Sequence, residues 1–444
     1  MSRKYLRYHH ADDKQASNDH WLRSFSTIMQ YNRSIQNFVY ANVLLFPLLS
    51  NLFEHSCSIL LIVLTLFGLP LCFFREKRLS ISSHEKMVMW AFASYFLVYL
   101  FSFTINGIMG NLEDLRFKYI EHQSRMLFVV PVFFLFRKTR LPISMMWYSV
   151  VSGAVISGIY AIVAGVFLHP GERVSGSYHS IAFGDISLTM AFMSLAGVHF
   201  FQRKKSFFWA ICPWCAFFLG LVASILSGTR GAWIAIPVLL IITLVQYYRD
   251  LRFRTWMGIF IGIFLVAMIL YKTPQTQISQ RLQETYQEVM EYDSRHAKEG
   301  SASERMEGWL AAWNIFLDYP FLGAGPGSFK SISHQMIDRG ERSEIIRIYH
   351  QPHSAYLSVL SDCGILGLIS LFAMFLVPVY AIIQKIRITP DKHDAGFAGL
   401  YLIAAFMQFG LTETIFGQNV YIGFYVVMLA VVLYVCSGYG ESDS

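Results

Sequence analysis

Charged side chains are scarce in this chain. Asp, Glu, Lys and Arg make up 15% of its 444 residues, whereas a typical soluble domain contains about 25%. Hydrophobic residues account for 55% and aromatic residues for 16%, so the composition indicates an integral membrane protein. The net charge of +7 does not point to nucleic acid, because the basic residues lie in short clusters between apolar runs, as in proteins oriented in a membrane.

Cysteine is also scarce. The six cysteines all lie in or at the ends of apolar stretches, and they form no recognisable disulfide framework. Cys212 and Cys215 have the spacing of a redox pair, but they lie within an apolar run without a soluble βαβ context, so we interpret them as packing residues. Metal-ligand clusters, paired catalytic carboxylates and nucleic-acid motifs are missing as well. We therefore expect no metal, no cofactor and no nucleic-acid partner.

The start of the chain has no evident cleavable signal peptide. Its first 34 residues are polar and basic, which is too long for the basic segment of such a peptide, and the first apolar run lacks a clear cleavage site of small residues. We therefore expect this run to remain as a membrane anchor.

Apolar runs long enough to cross a bilayer recur along the chain. About 20 apolar residues span the hydrocarbon core as a helix, and helices can satisfy the backbone of so many spans in one chain. We predict an all-α polytopic membrane protein with about twelve transmembrane helices and one large, partly helical extracytoplasmic loop. The predicted spans are 35–53, 56–74, 87–107, 124–136, 142–168, 181–201, 206–226, 231–248, 256–271, 355–383, 395–412 and 419–437.

The distribution of Lys and Arg predicts the orientation. With the N-terminus inside, the cytoplasmic segments hold 22 of the 36 Lys and Arg residues, and this asymmetry places both termini in the cytoplasm. The short outer loops hold few: Arg116, Lys118, Arg125, Arg173 and Arg230. The predicted parts are a cytoplasmic N-terminal segment (1–34), transmembrane helices one to nine (35–271), an outer helical loop (272–352), transmembrane helices ten to twelve (355–437) and a cytoplasmic tail (438–444).

The loop 272–352 contains helical patterns of its own, and a connection of this length usually carries function or its own structure. Apolar residues recur at helical spacing in two stretches: Ile278, Leu282, Tyr286 and Val289, and then Met306, Trp309, Leu310, Trp313 and Phe316. The second helix begins with the capping-box residues Ser301 and Glu304 and ends near Pro320. Its aromatic face suits docking on the membrane or on the transmembrane bundle. We interpret the run 323–327 as a flexible turn that folds the loop back, because it follows a helix and lacks the full dinucleotide-binding spacing.

Two arginines lie in unusual places. Arg230 is in the predicted tight outer turn 227–233, near the hydrocarbon boundary, where an arginine is costly unless it is hydrated, paired or snorkelling. Arg305 is in the first turn of the predicted loop helix, where a cation opposes the helix dipole unless an anion binds there. Each can be a solvated or snorkelling side chain. Each can also be an anion clamp, because guanidinium binds phosphate oxygens in a bidentate fork.

His353 marks the junction between the loop and span ten. It can be an interfacial histidine that the backbone satisfies, or a general base that the dipole of the following helix keeps neutral. His350 lacks this placement. Arg125, at the outer start of span four, is a secondary candidate for an anion site. Glu413, at the outer end of span eleven, is a secondary candidate that can orient an acceptor or pair with an arginine.

These motifs together resemble those of the O-antigen ligase and polymerase superfamily of polytopic bacterial glycosyltransferases. The resemblance rests on Ser227-Gly-Thr-Arg230-Gly-Ala-Trp, on Arg305-Met-Glu-Gly-Trp309 with the glycine-rich run 323–327, and on a histidine motif. In ligases that motif is His followed by Asn, Ser or Gln, nine residues, Gly, two residues, and Gly, Thr or Tyr. Here His353-Ser354 is followed after nine residues by Gly364-Ile-Leu-Gly367. The motifs cover about 180–370, and the topology covers the whole chain.

The resemblance implies a reaction. O-antigen polysaccharide carried on undecaprenyl pyrophosphate is transferred to a sugar hydroxyl of lipid A–core, at the periplasmic face of the Gram-negative inner membrane. The family works without a nucleotide sugar, and metal-independent, inverting transfer is the expected course. His353 would act as the base, and Arg230 and Arg305 would bind the pyrophosphate. The partners would be the donor, the acceptor and membrane lipids, and the loop 272–352 would be periplasmic.

Three alternatives remain open at this point. An O-antigen polymerase uses the same donor with a second lipid-linked glycan as acceptor, and a protein O-oligosaccharyltransferase is another relative. From a different class, the chain could be a transporter of the lipid-linked glycan. Transporters tend to bury charges at the bilayer midplane, often beside broken helices, whereas the charges singled out here gather at one outer face, which favours an enzyme.

Overall fold

In the computed structural model, the described residues are mostly helical. These are 33–73, 81–109, 117–176, 178–248, 301–388 and 393–438, with isolated positions between 257 and 290. No strand occurs in these ranges, which confirms the all-α prediction for them. The helices are α1 (Arg33–Leu52), α2 (Ser56–Gly68), α3 (Ser83–Ile108), α4 (Phe117–Ser124), α5 (Val129–Thr139), α6 (Ile143–Ile162), α7 (Ser180–Ala196), α8 (Val198–Gln202), α9 (Phe207–Leu226), α10 (Arg230–Trp233), α11 (Ala235–Tyr247), α12 (Ser301–Asp318), α13 (Phe329–Asp338), α14 (Ala355–Ile388), α15 (His393–Phe409) and α16 (Asn419–Cys436).

Within the described ranges, eight helices are long and apolar enough to cross a membrane. They are Arg33–Leu52, Ser56–Phe73, Ser83–Ile108, Ile143–Leu168, Phe207–Leu226, Arg230–Tyr247, Ala355–Ile388 and Asn419–Cys436. They correspond to predicted spans one, two, three, five, seven, eight, ten and twelve. Predicted spans four, six and eleven coincide with the shorter helices α5, α7 and α15, and most of span nine lies outside the described residues. The chain is thus a multi-pass helical protein with eight candidate spans in the part that the structure describes, and the count of twelve stays a prediction.

The most buried helices are α7 and α16. Every residue of α7 from Ala182 to Ala196 is buried, and so is every residue of α16 from Val420 to Cys436. Helices that are apolar all round belong in the core of a bundle. α7 packs against α6, α9 and α15, and α16 packs against α2, α5 and α15. The N-terminal ends of these two central helices therefore have little freedom to move.

The helix predicted from the capping-box residues is present as α12. The face of α12 that contacts the rest of the molecule carries mostly small side chains: Ala311, Ala312 and Ile315 are fully buried. Through this face α12 packs against α13 and α14. Trp313 is 45% exposed. Of the two docking partners predicted for the aromatic face, the membrane or the transmembrane bundle, the exposed Trp313 does not fit the bundle. Docking of this face on the membrane stays a prediction, and the first predicted loop helix lies almost entirely outside the described residues.

The glycine-rich run 323–327 lies against α14 where this helix is broken. The helix is interrupted at Gly364, which has φ +62° and ψ −156°. The N–H of Ala324 donates to the carbonyl of Ser361 at 2.8 Å, and the N–H of Ile365 donates to the carbonyl of Pro320 at 2.9 Å. These bonds satisfy backbone groups that the break would otherwise leave unpaired. The run is a turn, as predicted, but these bonds tie it firmly to α14.

Gly364 belongs to the histidine motif, and its surroundings explain why the residue is a glycine. A positive φ of this size favours glycine, and a Cβ at this position would lie 2.5 Å from the carbonyl carbon of Phe321. At Gly367, a Cβ would lie 2.4 Å from Cβ of Cys363. The glycine-rich run and the histidine motif, which are separate in the sequence, therefore meet in one backbone junction.

Candidate active site

Four chain segments surround a cavity of about 900 Å³. The segments are α4, the loop before α7, the residues before α14, and the turn between α15 and α16. The lining residues are Lys118, Tyr119, His122, Arg173, Tyr178, His179, Ser180, Ile181, His350, Gln351, His353, Glu413, Gly417 and Gln418. Two of the residues predicted for the site, His353 and Glu413, are among them. The cavity is large enough for a sugar-sized ligand, since ligand sites usually measure about 300–1,000 Å³.

The backbone of His353 has an unusual conformation. Its φ is +52°, in the left-handed region that few residues with a side chain adopt and that recurs at functional sites. The imidazole ring meets the ring of Tyr349 edge-on, with centroids 5.1 Å apart, and the Tyr349 hydroxyl donates to Glu304 of α12 at 2.5 Å. The side chain of His353 is 26% exposed. One side of the ring is therefore held by the loop, while the ring still lines the cavity.

The start of α14 is joined to the turn that carries Glu413. The N–H of Ala355 lies 2.8 Å from the carbonyl of Gly410 and 3.1 Å from that of Glu413. The hydroxyl of Ser354 also donates to the carbonyl of Gly410, at 3.3 Å. A donor side chain after the motif histidine therefore helps to hold His353 beside Glu413.

Glu413 is the buried acidic partner of His353. Only 3% of its side chain is exposed, and its Oε1 lies 3.6 Å from Nδ1 of the imidazole. The same oxygen accepts from the N–H of Thr414 at 3.1 Å and from Nε2 of Gln418 at 3.1 Å. Burial pushes the pKa of Glu413 upward, but the interactions with His353, His179 and Arg305 outweigh it and hold that pKa below its ordinary value. The carboxylate is therefore ionised and oriented at neutral pH.

Arg305 approaches this pair from α12. Its positive charge interacts with Glu413 and with Tyr349, the residue that contacts the His353 ring. α12 passes close to the residues before α14 here: a Cβ on Gly308 would be in van der Waals contact with Cα of Pro352, at 3.4 Å. The Nε of Arg305 is buried and has no hydrogen-bond partner among the described residues. Buried polar atoms normally have a partner, so this donor is suited to an anionic ligand.

The turn of Arg230 packs against the turn of Glu413. A Cβ on Gly231 would lie 2.3 Å from Oγ1 of Thr412, so glycine is required for this approach. The motif turn is also tied to the cavity wall, because Nε of Arg173 donates to the carbonyl of Ser227 at 2.9 Å. Arg230 is half-buried. The structure thus brings Arg230 and Arg305 to the neighbourhood of Glu413, although neither is among the residues that line the cavity.

Arg125 has a different setting. Its guanidinium forms an ion pair with Glu121 at 2.8 Å, with 15% of the arginine side chain exposed, and it donates to the hydroxyl of Ser58 at 3.2 Å. These contacts join α4 to α2, and Arg125 does not line the cavity. Its assignment to an anion site stays a prediction that the geometry does not support.

Sequence reasoning missed several polar residues of the cavity. His179 lies two residues before predicted span six, as His353 does before span ten, and Gln418 directly precedes span twelve. Their position at the outer ends of spans was therefore a signal. Lys118 and Arg173 were noted only as outer-loop cations. His350, which was set aside for its placement, also lines the cavity. Which of these outer-loop residues share one cavity depends on contacts between distant segments, and a single sequence does not show such contacts.

Comparisons with known proteins point to one family. Residues 215–372 match the family model described as O-antigen ligase, and this range holds the Arg230 turn, α12, the glycine-rich run and the histidine motif. An uncharacterized protein of Haemophilus influenzae is 25% identical over 326 residues, which cover 73% of this chain and 80% of that protein. Members of the matched family are glycosyltransferase-like membrane enzymes. The family match supports membership of this chain in the O-antigen ligase/polymerase superfamily.

Proposed function

We propose that this protein transfers O-antigen polysaccharide from undecaprenyl pyrophosphate to lipid A–core. The reaction takes place at the periplasmic face of the Gram-negative inner membrane and completes lipopolysaccharide. The observation that carries the proposal is the pairing of His353 with the buried carboxylate of Glu413 in a cavity, with the unpartnered Nε of Arg305 close to that pair. A base with an orienting partner and a nearby cation are the groups that this transfer requires.

His353 acts as the general base in this proposal. Glu413 faces Nδ1, so Nε2 is the nitrogen that takes the proton from the acceptor hydroxyl. The acceptor oxygen then forms a bond to the anomeric carbon of the donor sugar as the bond from that carbon to the pyrophosphate oxygen breaks. Attack opposite the leaving group inverts the anomeric configuration. A positioned general base contributes about 10²–10⁴ in rate.

The two arginines bind and stabilise the leaving group in this proposal. Negative charge grows on undecaprenyl pyrophosphate as the glycosidic bond breaks, and preformed cations stabilise such charge most effectively. Arg305 has a buried donor without a partner among the described residues, and Arg230 comes from a turn packed beside Glu413. Because the two guanidinium groups neutralise the leaving group, we expect EDTA to leave the rate of the purified reaction unchanged.

The break in α14 bears on the transporter alternative. A broken helix with a buried acidic residue, Asp362, is a feature that transporters also have. Here the break is filled by the glycine-rich run, and the hollow beside Asp362 measures about 10 Å³. A space of that size holds about one water molecule. The break therefore offers no room for a glycan, which favours the enzyme.

Reconstitution tests the proposed function. The purified protein is incubated in liposomes with a lipid-linked O-antigen donor and, in separate reactions, with lipid A–core or a second donor molecule as acceptor. Polymer joined to lipid A–core is the expected product. A longer lipid-linked glycan would show a polymerase instead, and movement of the donor across the bilayer without a new glycosidic bond would show a transporter.

A further inference from the structure

We infer that His179 and Gln418 are positioning residues, which set the orientation of His353 through a one-directional chain of hydrogen bonds that passes through Glu413. This inference rests on the proposed function, because it concerns the base of that reaction. Its links come from three segments that are far apart in the sequence: the N-terminus of α7, the turn before α16 and the residues before α14.

The first link fixes the tautomer of His179. The backbone N–H of Ala182 donates to Nδ1 of His179 at 3.2 Å. A backbone N–H can only donate, so Nδ1 must carry a lone pair, and the proton of the neutral ring must be on Nε2. Burial, together with the nearby Arg173 and His353, lowers the pKa of His179 below its ordinary value despite Glu413 and Gln418. The ring is therefore neutral at pH 7.

The second link fixes the side-chain amide of Gln418. Nε2 of His179 lies 2.8 Å from Oε1 of Gln418, and since this nitrogen carries the proton, it donates to the amide oxygen. The amide group is planar, so its NH₂ end then points the other way. That end donates to Oε1 of Glu413 at 3.1 Å. A flipped amide would present its oxygen to the carboxylate and lose both bonds, so the direction of the chain is unambiguous.

The third link reaches His353. Oε1 of Glu413 accepts from Gln418 and from the N–H of Thr414, and two donors hold it as a carboxylate with a fixed orientation. This carboxylate faces Nδ1 of His353 at 3.6 Å and favours the tautomer with the proton on Nδ1. The lone pair of Nε2 is then free for the acceptor hydroxyl. A base oriented by a carboxylate is the arrangement of the Ser-His-Asp triad, and here the carboxylate is itself oriented.

A helix cap alone does not account for His179. As the N-cap of α7, it needs only the acceptor atom Nδ1. The contact of Nε2 with Gln418 adds nothing to that cap, and it joins the ends of the two most buried helices. His179 and Gln418 are thus held by rigid elements, which is what accurate placement of a catalytic group requires.

Two variants test the inference. His179→Asn keeps an oxygen that caps the helix, because Asn is a favoured N-cap, but it is too short to reach Gln418. Gln418→Met keeps the size and removes the amide. We expect each to lower kcat by about 10- to 100-fold, part of the contribution of a general base, with KM for donor and acceptor within about twofold of wild type. His169→Asn, an exposed histidine of the same outer loop, serves as the matched control and is expected to match wild type.

The double variant gives the decisive readout. If both residues act through one chain, His179→Asn with Gln418→Met loses no more activity than the more impaired single variant. Multiplicative losses, a change in KM instead of kcat, or kcat within twofold of wild type in the single variants would each overturn the inference. If His179→Asn does not fold, as judged by thermal melting in detergent, kcat and KM of Gln418→Met decide alone. An active His353→Asn enzyme would instead overturn the proposed function itself, so the two failures are distinguishable.

Discussion

Nδ1 of His353 lies 3.6 Å from Oε1 of Glu413, whose side chain is 3% exposed. This separation is slightly longer than a hydrogen bond, and catalytic hydrogen bonds are often long before the substrate binds. Thr414 and Gln418 both hold the carboxylate oxygen. The carboxylate is therefore the fixed member of the pair, and a small movement of the imidazole completes the contact.

Removal of the Glu413 charge tests its role in orienting the base. Glu413→Gln keeps the size but presents an amide to His353, so the preference for the productive tautomer is lost. We expect kcat to fall by about two to four orders of magnitude, measured as transfer to lipid A–core by the purified protein. Glu172→Gln, in an exposed part of the outer loop, is the control. A Glu413→Gln enzyme with normal kcat would show that the carboxylate does not orient the base.

Glu413 also links stability to pH. Burial raises the pKa of Glu413, but the lowering by His353, His179 and Arg305 is larger, so the folded-state pKa lies below its ordinary value. Such a carboxyl contributes its full stabilisation at pH values above the pKa that it has in the unfolded chain, about 4.3. The stabilisation is lost as the pH falls through the lower pKa of the folded state. We expect the difference in melting temperature between wild type and Glu413→Gln, measured in detergent, to shrink as pH falls below about 4.3. A difference that widens there would contradict the assignment.

His353→Asn tests the base directly. Asn tolerates the left-handed backbone of this position better than most residues do, so the variant removes the imidazole with little added strain. We expect the transfer rate to fall by about 10²–10⁴ and polymer-capped lipopolysaccharide to disappear from cells. Membrane insertion is checked by immunoblot of the membrane fraction. A near-normal lipopolysaccharide ladder from a well-expressed variant would contradict the site assignment.

Arg305→Lys tests the guanidinium. Lysine keeps the charge but has no Nε donor and no planar fork, and the Nε of Arg305 is buried and lacks a partner in the part of the chain that the structure describes. We expect kcat to fall by about 10- to 10³-fold, as for the loss of one group that stabilises a developing anion. Arg230→Lys should also be impaired. Arg339→Lys, exposed after α13, is the control, and full activity of Arg305→Lys would reduce the role of Arg305 to a simple charge.

Gly364→Ala tests the junction between the glycine-rich run and α14. The new Cβ would lie 2.5 Å from the backbone of Phe321, so the junction cannot form unchanged. We expect little folded protein, measured by size-exclusion chromatography after detergent extraction. Gly340→Ala is a matched control: its φ of +73° is similar, but nothing lies within 4 Å of the added Cβ. Gly340→Ala should be destabilised only by backbone strain, by about 1–2 kcal/mol. Equal yields of folded protein from the two variants would contradict a steric clash as the cause.

Hydrophobic periodicity was sufficient for most helices. The eight candidate spans and α12 lie where apolar runs and the capping-box residues predicted them, since these signals act over one helix at a time. Span length was harder to predict. α5 begins at Val129, five residues after the predicted start of span four, because the residues before it form the short 3₁₀ helix Arg125–Phe128. α15 ends at Phe409, three residues before the predicted end of span eleven.

The sequence by itself indicated the helical class, the approximate spans, the resemblance to a family and the motif residues His353, Arg230 and Arg305. These rest on local composition, spacing and recognisable patterns, which need no knowledge of the partners of a residue. Only the tertiary structure decided which polar residues face one another. It placed Glu413 opposite His353, connected Glu413 to His179 through Gln418, and directed Arg125 to Glu121 instead. The physical reason is that hydrogen bonds and ion pairs act over a few ångströms, and packing brings distant segments within that range.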